Sequence, residues 1–261
     1  MDVWTPRLIA LDIDGTTVHA HQPPSPRVLA AIRAVGRHAM VMLCTGRTVL
    51  GVRRVLDELG LDSGLTVCSN GAVVMDTASR VVREVVTFDA AVAHATVKDV
   101  LPEAVFGTEH VGVGQRVTGP FPGVHLAGEV TEVSEAELLA AATPKLIAYW
   151  PGGTVDEVAE RFAGIEVPGA TVTFDHEFPW VTMVAAGVSK ASALAGVAAG
   201  AGVAQQDVLA VGDGDNDCTM LRWAGHGVAM GQAPPEVKEA ADEVTGAVTE
   251  DGLAAVLERF S

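Results

Sequence analysis

Basic residues are scarce in this sequence. Its 261 residues include 17 Lys and Arg against 33 Asp and Glu, which gives a net charge of -16. Nonspecific binding to nucleic acid comes mainly from Lys and Arg neutralising phosphates. The composition therefore argues against a polyanionic partner, and any anionic substrate must be small and held by local positive charge.

Cysteines and long apolar runs are also scarce. Cys44, Cys68 and Cys218 are widely spaced without a CxxC pair, which argues against a disulfide framework or a structural zinc site and favours a reducing compartment, the cytoplasm. The longest weakly apolar run, 193–204, is too short to span a bilayer as a helix. The first residues, with an early acid and an early proline, lack the order of a secretory signal. We therefore expect a soluble protein with no membrane partner.

Apolar residues are plentiful, at 49% of the chain, and they recur in alternating patterns. Short apolar runs at 7–13, 39–44 and 65–68 predict strands, while the spacing within 26–35 and 48–59 predicts helices. This βαβαβ order is typical of a parallel sheet with right-handed crossovers. The alternation returns late, with helices from about residues 190, 216 and 250 and strands at 208–211 and near 228.

The middle of the chain follows another pattern. Helices near 90–101, 134–142 and from 154 are mixed with strands at 145–150 and near residues 172 and 181, and the stretch 107–128 predicts a loop or irregular hairpin. We predict an α/β fold with a doubly wound parallel-sheet core from residues 1–85 and 187–261. Residues 86–186 would form an inserted α+β domain, hereafter the cap.

Polar residues close three of the predicted strands. Asp12 and Asp14 follow the first, Thr45 the second, and Asp213 and Asp217 the late strand. Ligands of open parallel sheets bind beyond the carboxyl ends of the strands. Carboxylates gathered there need a cation, and all-oxygen ligands favour Mg2+. Either Asp-Gly string alone is equally typical of a turn.

Four segments together resemble the motifs of the haloacid dehalogenase superfamily: LDIDGT, LCTGR, the lysine in GVSKASAL, and GDGDNDCTML. The insert between the second and third motifs and the ending AMGQAPPEVKEAADEVTGAVTEDGLAAVL resemble its Cof-type sugar-phosphate phosphatases. The four motifs lie in the two end segments of the chain, whereas the middle matches only in size and αβ order. Ala191 and Gln232 depart from residues usual in that branch.

The resemblance implies a phosphatase mechanism for these residues. Asp12 would be the nucleophile that forms an aspartyl-phosphate, and Asp14 the acid and base, its carbonyl also touching the metal. Asp213, at the end of the late strand, would be a side-chain ligand of Mg2+. Asp217 would contact the same Mg2+ either directly or through a neighbouring group. The phosphate group would be held by the backbone of Ile13 and Gly46 and by the side chains of Thr45, Lys190 and Asn216.

Two residues have open interpretations. Arg47 would either face the active site or form an ion pair that caps a helix. Asn70-Gly71 between two apolar runs predicts a hairpin turn, while the resemblance implies that Asn70 contacts substrate. GVGQ at 112–115 does not complete a dinucleotide fingerprint, so we do not expect NAD.

The predicted function is Mg2+-dependent hydrolysis of small phosphorylated metabolites, above all sugar phosphates. A phosphomutase would use the same aspartyl-phosphate, and a non-catalytic protein would bind phosphate compounds without turnover. A C–halogen hydrolase needs no metal and no second carboxylate, so this acidic pattern disfavours it. The sequence leaves the choice between monomer and homodimer open.

Overall fold

The computed structural model describes residues 4–19, 22–121 and 126–261. Its strands, in chain order, are β1 (Leu8–Leu11), β2 (Met40–Leu43), β3 (Leu65–Cys68), β4 (Val73–Asp76), β5 (Val82–Val85), β6 (Val105–His110), β7 (Gly114–Val117), β8 (Glu129–Glu132), β9 (Leu146–Tyr149), β10 (Ala170–Phe174), β11 (Trp180–Ala185), β12 (Val208–Gly212), β13 (His226–Ala229) and β14 (Glu243–Val244).

The helices alternate with these strands. They are α1 (Pro26–Val35), α2 (Arg53–Leu59), α3 (Ala91–Val100), α4 (Glu135–Leu138), α5 (Val155–Phe162), α6 (Lys190–Gly200), α7 (Cys218–Trp223), α8 (Pro235–Glu239) and α9 (Gly252–Leu257). Within the described residues, no helix is both long enough and apolar enough to cross a membrane.

The core sheet is parallel and joins the two ends of the chain. Its strand order is β14-β13-β12-β1-β2, and β1 pairs in parallel with both β12 and β2. Helices cover both faces: Ile9 and Leu11 pack with α1, α2 and α9, whereas Leu8 and Ala10 pack with α6 and α7. This two-sided burial explains why β1 reads as a continuous apolar run, and it confirms the predicted α/β core.

The strand β3 continues this sheet only weakly. It is linked to the end of β2 by a single parallel bridge, Cys44 to Val67, and otherwise pairs antiparallel with β4 in the sheet β3-β4-β5. The predicted Asn70-Gly71 turn joins β3 to β4 as a 3-10 turn over Ser69–Gly71.

A second sheet belongs to the middle of the chain, with strand order β10-β11-β9-β6-β7-β8. One face packs against helices α3 and α5 through Phe106, Leu146 and Val181. The segment predicted as a loop or irregular hairpin contains the end of β6 and all of β7, and these two strands pair antiparallel, as the hairpin alternative predicts. The exact domain boundaries at residues 85/86 and 186/187 remain a prediction.

Several predicted helices are shorter in the structure. The helix predicted from Thr48 begins only at Arg53, since the Thr48 hydroxyl accepts a bond from the Gly51 N–H at 3.2 Å and supports a turn. The helix predicted from Asn216 begins at Cys218 after a 3-10 turn. These turns hold functional side chains at the strand ends.

Candidate active site

The site lies at one edge of the core sheet. Asp12 follows β1, Thr45 lies two residues beyond β2, and Asp213 follows β12. Because β12, β1 and β2 are neighbouring parallel strands, their carboxyl ends meet at this edge. The structure thus brings together side chains that are up to 201 residues apart in sequence, from Asp12 to Asp213.

Lys190 is the buried cation of the site. It begins helix α6 and is fully buried, and its Nζ donates hydrogen bonds of 2.6 Å to Asp12 Oδ1 and 2.6 Å to Asp217 Oδ1. Its helix begins with a capping box formed by Ser189 and Ser192, which fixes the helix start. Lys190 therefore holds the carboxylate that the sequence predicts as nucleophile.

Asp217 is a supporting carboxylate. Its Oδ2 accepts hydrogen bonds from the backbone N–H groups of Asp213 and Gly214, both at 2.9 Å, while its Oδ1 accepts from Lys190. Oδ2 thus holds the loop after β12, and Oδ1 binds the buried lysine. This geometry favours an indirect role for Asp217 at the metal.

Asp213 is oriented by residues that the sequence did not single out as site residues. The Thr16 hydroxyl donates to Asp213 Oδ1 at 3.2 Å, and Gln232 Nε2 donates to Asp213 Oδ2 at 3.1 Å. Gln232 also binds the Gly15 carbonyl at 2.6 Å. Gly15 has φ +82°, and a Cβ there would lie 2.0 Å from Asp213 Oδ2, so the loop requires glycine.

Burial shifts the pKa values of these groups. It raises the pKa of Asp12 well above its ordinary value, an effect that Asp217 reinforces and Lys190 opposes. Burial and Asp217 together raise the pKa of Asp213 to about 6. Burial alone would lower the pKa of Lys190, but Asp12 and Asp217 outweigh it and raise that pKa. One ammonium thus faces more negative charge than it can neutralise.

The carboxylates fit a divalent cation. Among the described residues, ligand atoms of Asp12, Asp213 and Asp217 lie within 4.8 Å of one another, and all three side chains are buried. Hard carboxylate oxygens are the donors that Mg2+ prefers. The excess negative charge and the raised pKa values are the physical reasons why a cation would bind here.

Asp14 pairs with Arg47. The Arg47 guanidinium donates from Nε to Asp14 Oδ2 at 2.8 Å and from Nη2 to Asp14 Oδ1 at 2.5 Å. Its Nη1 also donates to the Gly51 carbonyl at 3.2 Å. The ion pair of Arg47 is therefore with Asp14 and caps no helix, and the bond to Gly51 supports the turn before α2.

Asn70 links the core to the cap. Its Oδ1 accepts from Asn216 Nδ2 at 3.0 Å, and its Nδ2 donates to Thr173 Oγ1, on β10, at 3.2 Å. A Cβ on Gly46 would lie 2.9 Å from Asn70 Oδ1. The predicted residues Gly46, Asn70 and Asn216 therefore form one packed group beside Thr45.

The strand β10 and the hairpin after it approach the core from the cap. The N–H of Phe174 donates to Asp215 Oδ2 at 3.1 Å, and His176 Nε2 lies 4.0 Å from Asp213 Oδ2. The sequence patterns assign no role to Asp215, Thr173 or His176. Contacts between residues of separate domains form only in the folded chain, and no spacing in the sequence indicates them.

Comparison with known proteins places the chain in a family. A profile of haloacid dehalogenase-like hydrolases matches residues 9–106 and 129–257. The 5-amino-6-(5-phospho-D-ribitylamino)uracil phosphatase YcsE of Bacillus subtilis is 28% identical, covering 97% of this chain and 95% of its own. A phosphoglycolate phosphatase of Methanothermobacter thermautotrophicus is 26% identical over 97% of this chain and 98% of its own.

Solved structures agree in fold over nearly the whole chain. The HAD subclass IIB sugar phosphatase BT4131 superposes with a TM-score of 0.81 at 23% identity, covering 97% of this chain and 98% of its own. BT1666 of Bacteroides thetaiotaomicron gives a TM-score of 0.78 at 25% identity, with 98% and 95% covered.

The chain therefore belongs to the haloacid dehalogenase-like hydrolases, as a Cof-type phosphatase. Its reaction class is phosphoric monoester hydrolysis, and the family implies small phosphorylated substrates.

Proposed function

We propose that this protein is an Mg2+-dependent phosphatase that hydrolyses phosphate monoesters of small metabolites, sugar phosphates above all, through an aspartyl-phosphate on Asp12. The observation that carries this proposal is the position of Asp12. It follows β1, is 5% exposed, and is bound by Lys190 beside Asp213 and Asp217. A carboxylate held in this way has a fixed orientation from which it can attack phosphorus.

Two displacements at phosphorus make up the reaction. In the first, an Asp12 carboxylate oxygen attacks phosphorus, and the bond from phosphorus to the leaving oxygen breaks while Asp14 supplies that oxygen with a proton. In the second, Asp14 takes a proton from water, the water oxygen attacks phosphorus, and the bond to Asp12 breaks. Inorganic phosphate leaves and both carboxyl groups return to their starting state.

Asp14 suits an acid and base role because its side chain is 56% exposed, so it can exchange protons with water. Arg47 holds it by two hydrogen bonds and so limits its rotation. Positioned acids and bases typically supply about 10²- to 10⁴-fold in rate.

The phosphoryl oxygens would be held by groups around Thr45. We assign this role to the Thr45 hydroxyl, the backbone N–H groups of Gly46 and Ile13, Lys190 and the Asn216 amide. Phosphoryl transfer depends mainly on positioning and on stabilising the spread negative charge. The full charge of Lys190 at the start of α6 suits this task.

Asp12 and Asp213 would hold the metal ion, together with the backbone carbonyl of Asp14, and Asp217 would support them. When bound, Mg2+ supplies a Lewis acid that neutralises phosphate charge beside the nucleophile. The buried carboxylates and the raised pKa of Asp213 support this assignment.

The cap supports the assignment of a small substrate. It contacts the core beside the catalytic groups through Thr173 and Phe174, so a leaving group would lie between the two domains. Relatives named for a ribitylamino-uracil phosphate and for phosphoglycolate agree with small phosphorylated metabolites. The buried free thiols of Cys44, Cys68 and Cys218 agree with a cytoplasmic location.

Phosphate release from sugar phosphates, nucleotides and p-nitrophenyl phosphate, measured with Mg2+, tests the proposal. We expect turnover by the native chain and none by Asp12→Asn, with sugar phosphates ranking first. Equal rates from both proteins would exclude Asp12 as nucleophile. Transfer of phosphate back to substrate, activated by a bisphosphate, would indicate a mutase instead.

Metal removal is a separate test. EDTA should abolish turnover and added Mg2+ should restore it. Full activity in EDTA would rule out the metal assignment while leaving the nucleophile untouched.

A further inference from the structure

Two charged residues of the cap are buried against the core, and the mechanism above leaves them without a role. Lys145 directly precedes β9 and Glu109 lies in β6, with side chains only 8% and 1% exposed. Burying charged groups is costly unless they are well paired. Lys145 donates a hydrogen bond to one core loop beside Thr45, and Glu109 accepts one from another. These contacts indicate a role for both side chains at the site.

Lys145 binds one end of a peptide group whose other end binds Thr45. The Lys145 Nζ donates to the Gly46 carbonyl at 3.0 Å. That carbonyl shares its peptide group with the N–H of Arg47, which donates to Thr45 Oγ1 at 3.1 Å. Hydrogen bonds in such a chain polarise and strengthen one another.

The orientation of the Thr45 hydroxyl follows from this chain. Its oxygen accepts from the Arg47 N–H, so its own hydrogen is available for a different acceptor. Thr45 is 1% exposed and follows β2 at the active edge. Fixing the Gly46–Arg47 peptide therefore fixes the direction in which Thr45 donates.

Glu109 holds the neighbouring loop. One of its oxygens, Oε2, accepts a hydrogen bond from the Ser69 hydroxyl and lies 3.9 Å from Lys145 Nζ. The Ser69 N–H donates to the Arg47 carbonyl at 2.9 Å, and the Asn70 N–H donates to the Thr45 carbonyl at 3.1 Å. The cap thus contacts both the Thr45–Arg47 loop and the Ser69–Asn70 loop that is hydrogen-bonded to it.

We propose that Lys145 is a positioning residue for phosphoryl transfer. When the cap meets the core, its ammonium fixes the Gly46–Arg47 peptide and so directs the Thr45 hydroxyl to the phosphoryl group, while Glu109 and Ser69 hold the adjoining loop. This inference rests on the proposed function. Lys145 acts on the part common to all substrates, so its contribution is independent of the leaving group.

Lys145→Met tests this role, with Lys98→Met as the matched control. Lys98 is another cap lysine, but it pairs with Glu135 within the cap. For Lys145→Met we expect kcat/KM to fall about tenfold to a hundredfold, by the same factor for p-nitrophenyl phosphate and for a hexose phosphate. Lys98→Met should stay within about twofold, as expected for an exposed pair.

A double-mutant cycle separates positioning from general stability. In a Thr45→Val background, Lys145→Met should change kcat/KM by less than about threefold, since the hydroxyl it positions is gone. Fully additive losses would overturn the proposal. So would a loss confined to one leaving group, which would make Lys145 a leaving-group contact.

Orthophosphate binding provides a readout without turnover. Calorimetric titration with Mg2+ present should show about tenfold weaker orthophosphate binding for Lys145→Met, and unchanged affinity would contradict the inference. If Lys145→Met does not fold by circular dichroism, Lys145→Gln carries the same measurements. A native chain that binds orthophosphate but hydrolyses no ester would reject the proposed function and leave this test intact.

Discussion

At the scale of single residues, the site is a problem of charge balance. Lys190 is shared between Asp12 and Asp217 at 2.6 Å each, whereas the side-chain hydrogen bonds to Asp213 among the described residues come from the neutral donors Thr16 and Gln232. Burial and the neighbouring Asp217 raise the pKa of Asp213 despite these two bonds. Negative charge that Lys190 does not neutralise therefore lies where the proposed metal ion and phosphate would bind.

The acid role of Asp14 predicts a dependence on the leaving group. Asp14→Asn should lower kcat/KM for a sugar phosphate by about 10²- to 10⁴-fold, because an alkoxide leaves poorly without a proton. The loss for p-nitrophenyl phosphate should be smaller, because its phenolate needs less protonation. Steady-state kinetics with both substrates measure the difference.

Asp62→Asn is the control for Asp14→Asn, since Asp62 is exposed outside the site. It should leave both rates unchanged. Equal losses of kcat/KM for the two substrates in Asp14→Asn would contradict the acid role of Asp14 and would move that role elsewhere.

Removing the buried cation predicts a large loss of stability. Lys190→Met leaves Asp12 and Asp217 buried without their partner, and breaking a buried ion pair in this way costs about 3–5 kcal/mol. Urea unfolding at pH 7.5 without metal measures the free energy of unfolding. Lys98→Met, which breaks a half-exposed pair, should cost at most about 1 kcal/mol. A similar cost for both variants would contradict the buried-pair account.

At the scale of elements, local patterns predicted the core well. The strand 65–68 has the predicted bounds, and α1 and α6 begin at Pro26 and Lys190, where the sequence predicts them. The predicted helix start was wrong at Thr48, where the side chain binds the Gly51 N–H and supports a turn instead of a helix. The sequence predicted the position of Asp12 and Asp213 at one sheet edge because each follows a strand, but it missed Lys145 and Glu109, whose partners lie in another domain.

The turn after β3 must fit tightly against the start of α6. Gly71 has φ +100°, and a Cβ there would lie 2.1 Å from the Ser189 carbonyl oxygen. Gly71→Ala should therefore lower the free energy of unfolding by more than about 2 kcal/mol, combining backbone strain with a clash, and should displace Lys190. Thermal unfolding and phosphate release measure both effects.

Gly60→Ala is the matched control for this turn. Gly60 also has a positive φ, +69°, but a Cβ there would meet nothing within 4 Å. It should show the backbone cost alone, about 1 kcal/mol, with normal activity. Equal destabilisation of the two variants would mean that the turn relaxes away from α6.

At the scale of the whole molecule, the two domains are joined by polar contacts at the site itself. The cap reaches Asn70, Asp215, Gly46 and Ser69, and each of these lies in a loop at the carboxyl edge of the core. Val184 of the cap is also buried in the apolar cluster of the core. Cap position and the geometry of the phosphate-binding loops are thereby coupled.

The charge of the site predicts how stability depends on pH and metal. The pKa of Asp213 in the folded chain is about 6, against an ordinary value of 3.8, so between these values the folded state binds a proton that the unfolded state has lost. The contribution of Asp213 to stability is therefore present at low pH and is lost as pH rises through about 6. Mg2+ competes with that proton and should raise Tm more at pH 7.5 than at pH 5.

Asp213→Asn isolates this contribution, because asparagine neither binds the proton nor carries the charge that attracts the ion. Melting curves of both proteins at the two pH values, with and without Mg2+, should show a smaller metal shift in the variant at pH 7.5. The fall in metal-free stability between pH 5 and pH 7.5 should be smaller too. An equal Mg2+ shift at both pH values in the native chain would mean that proton and metal do not share Asp213, and the metal would then have to bind elsewhere.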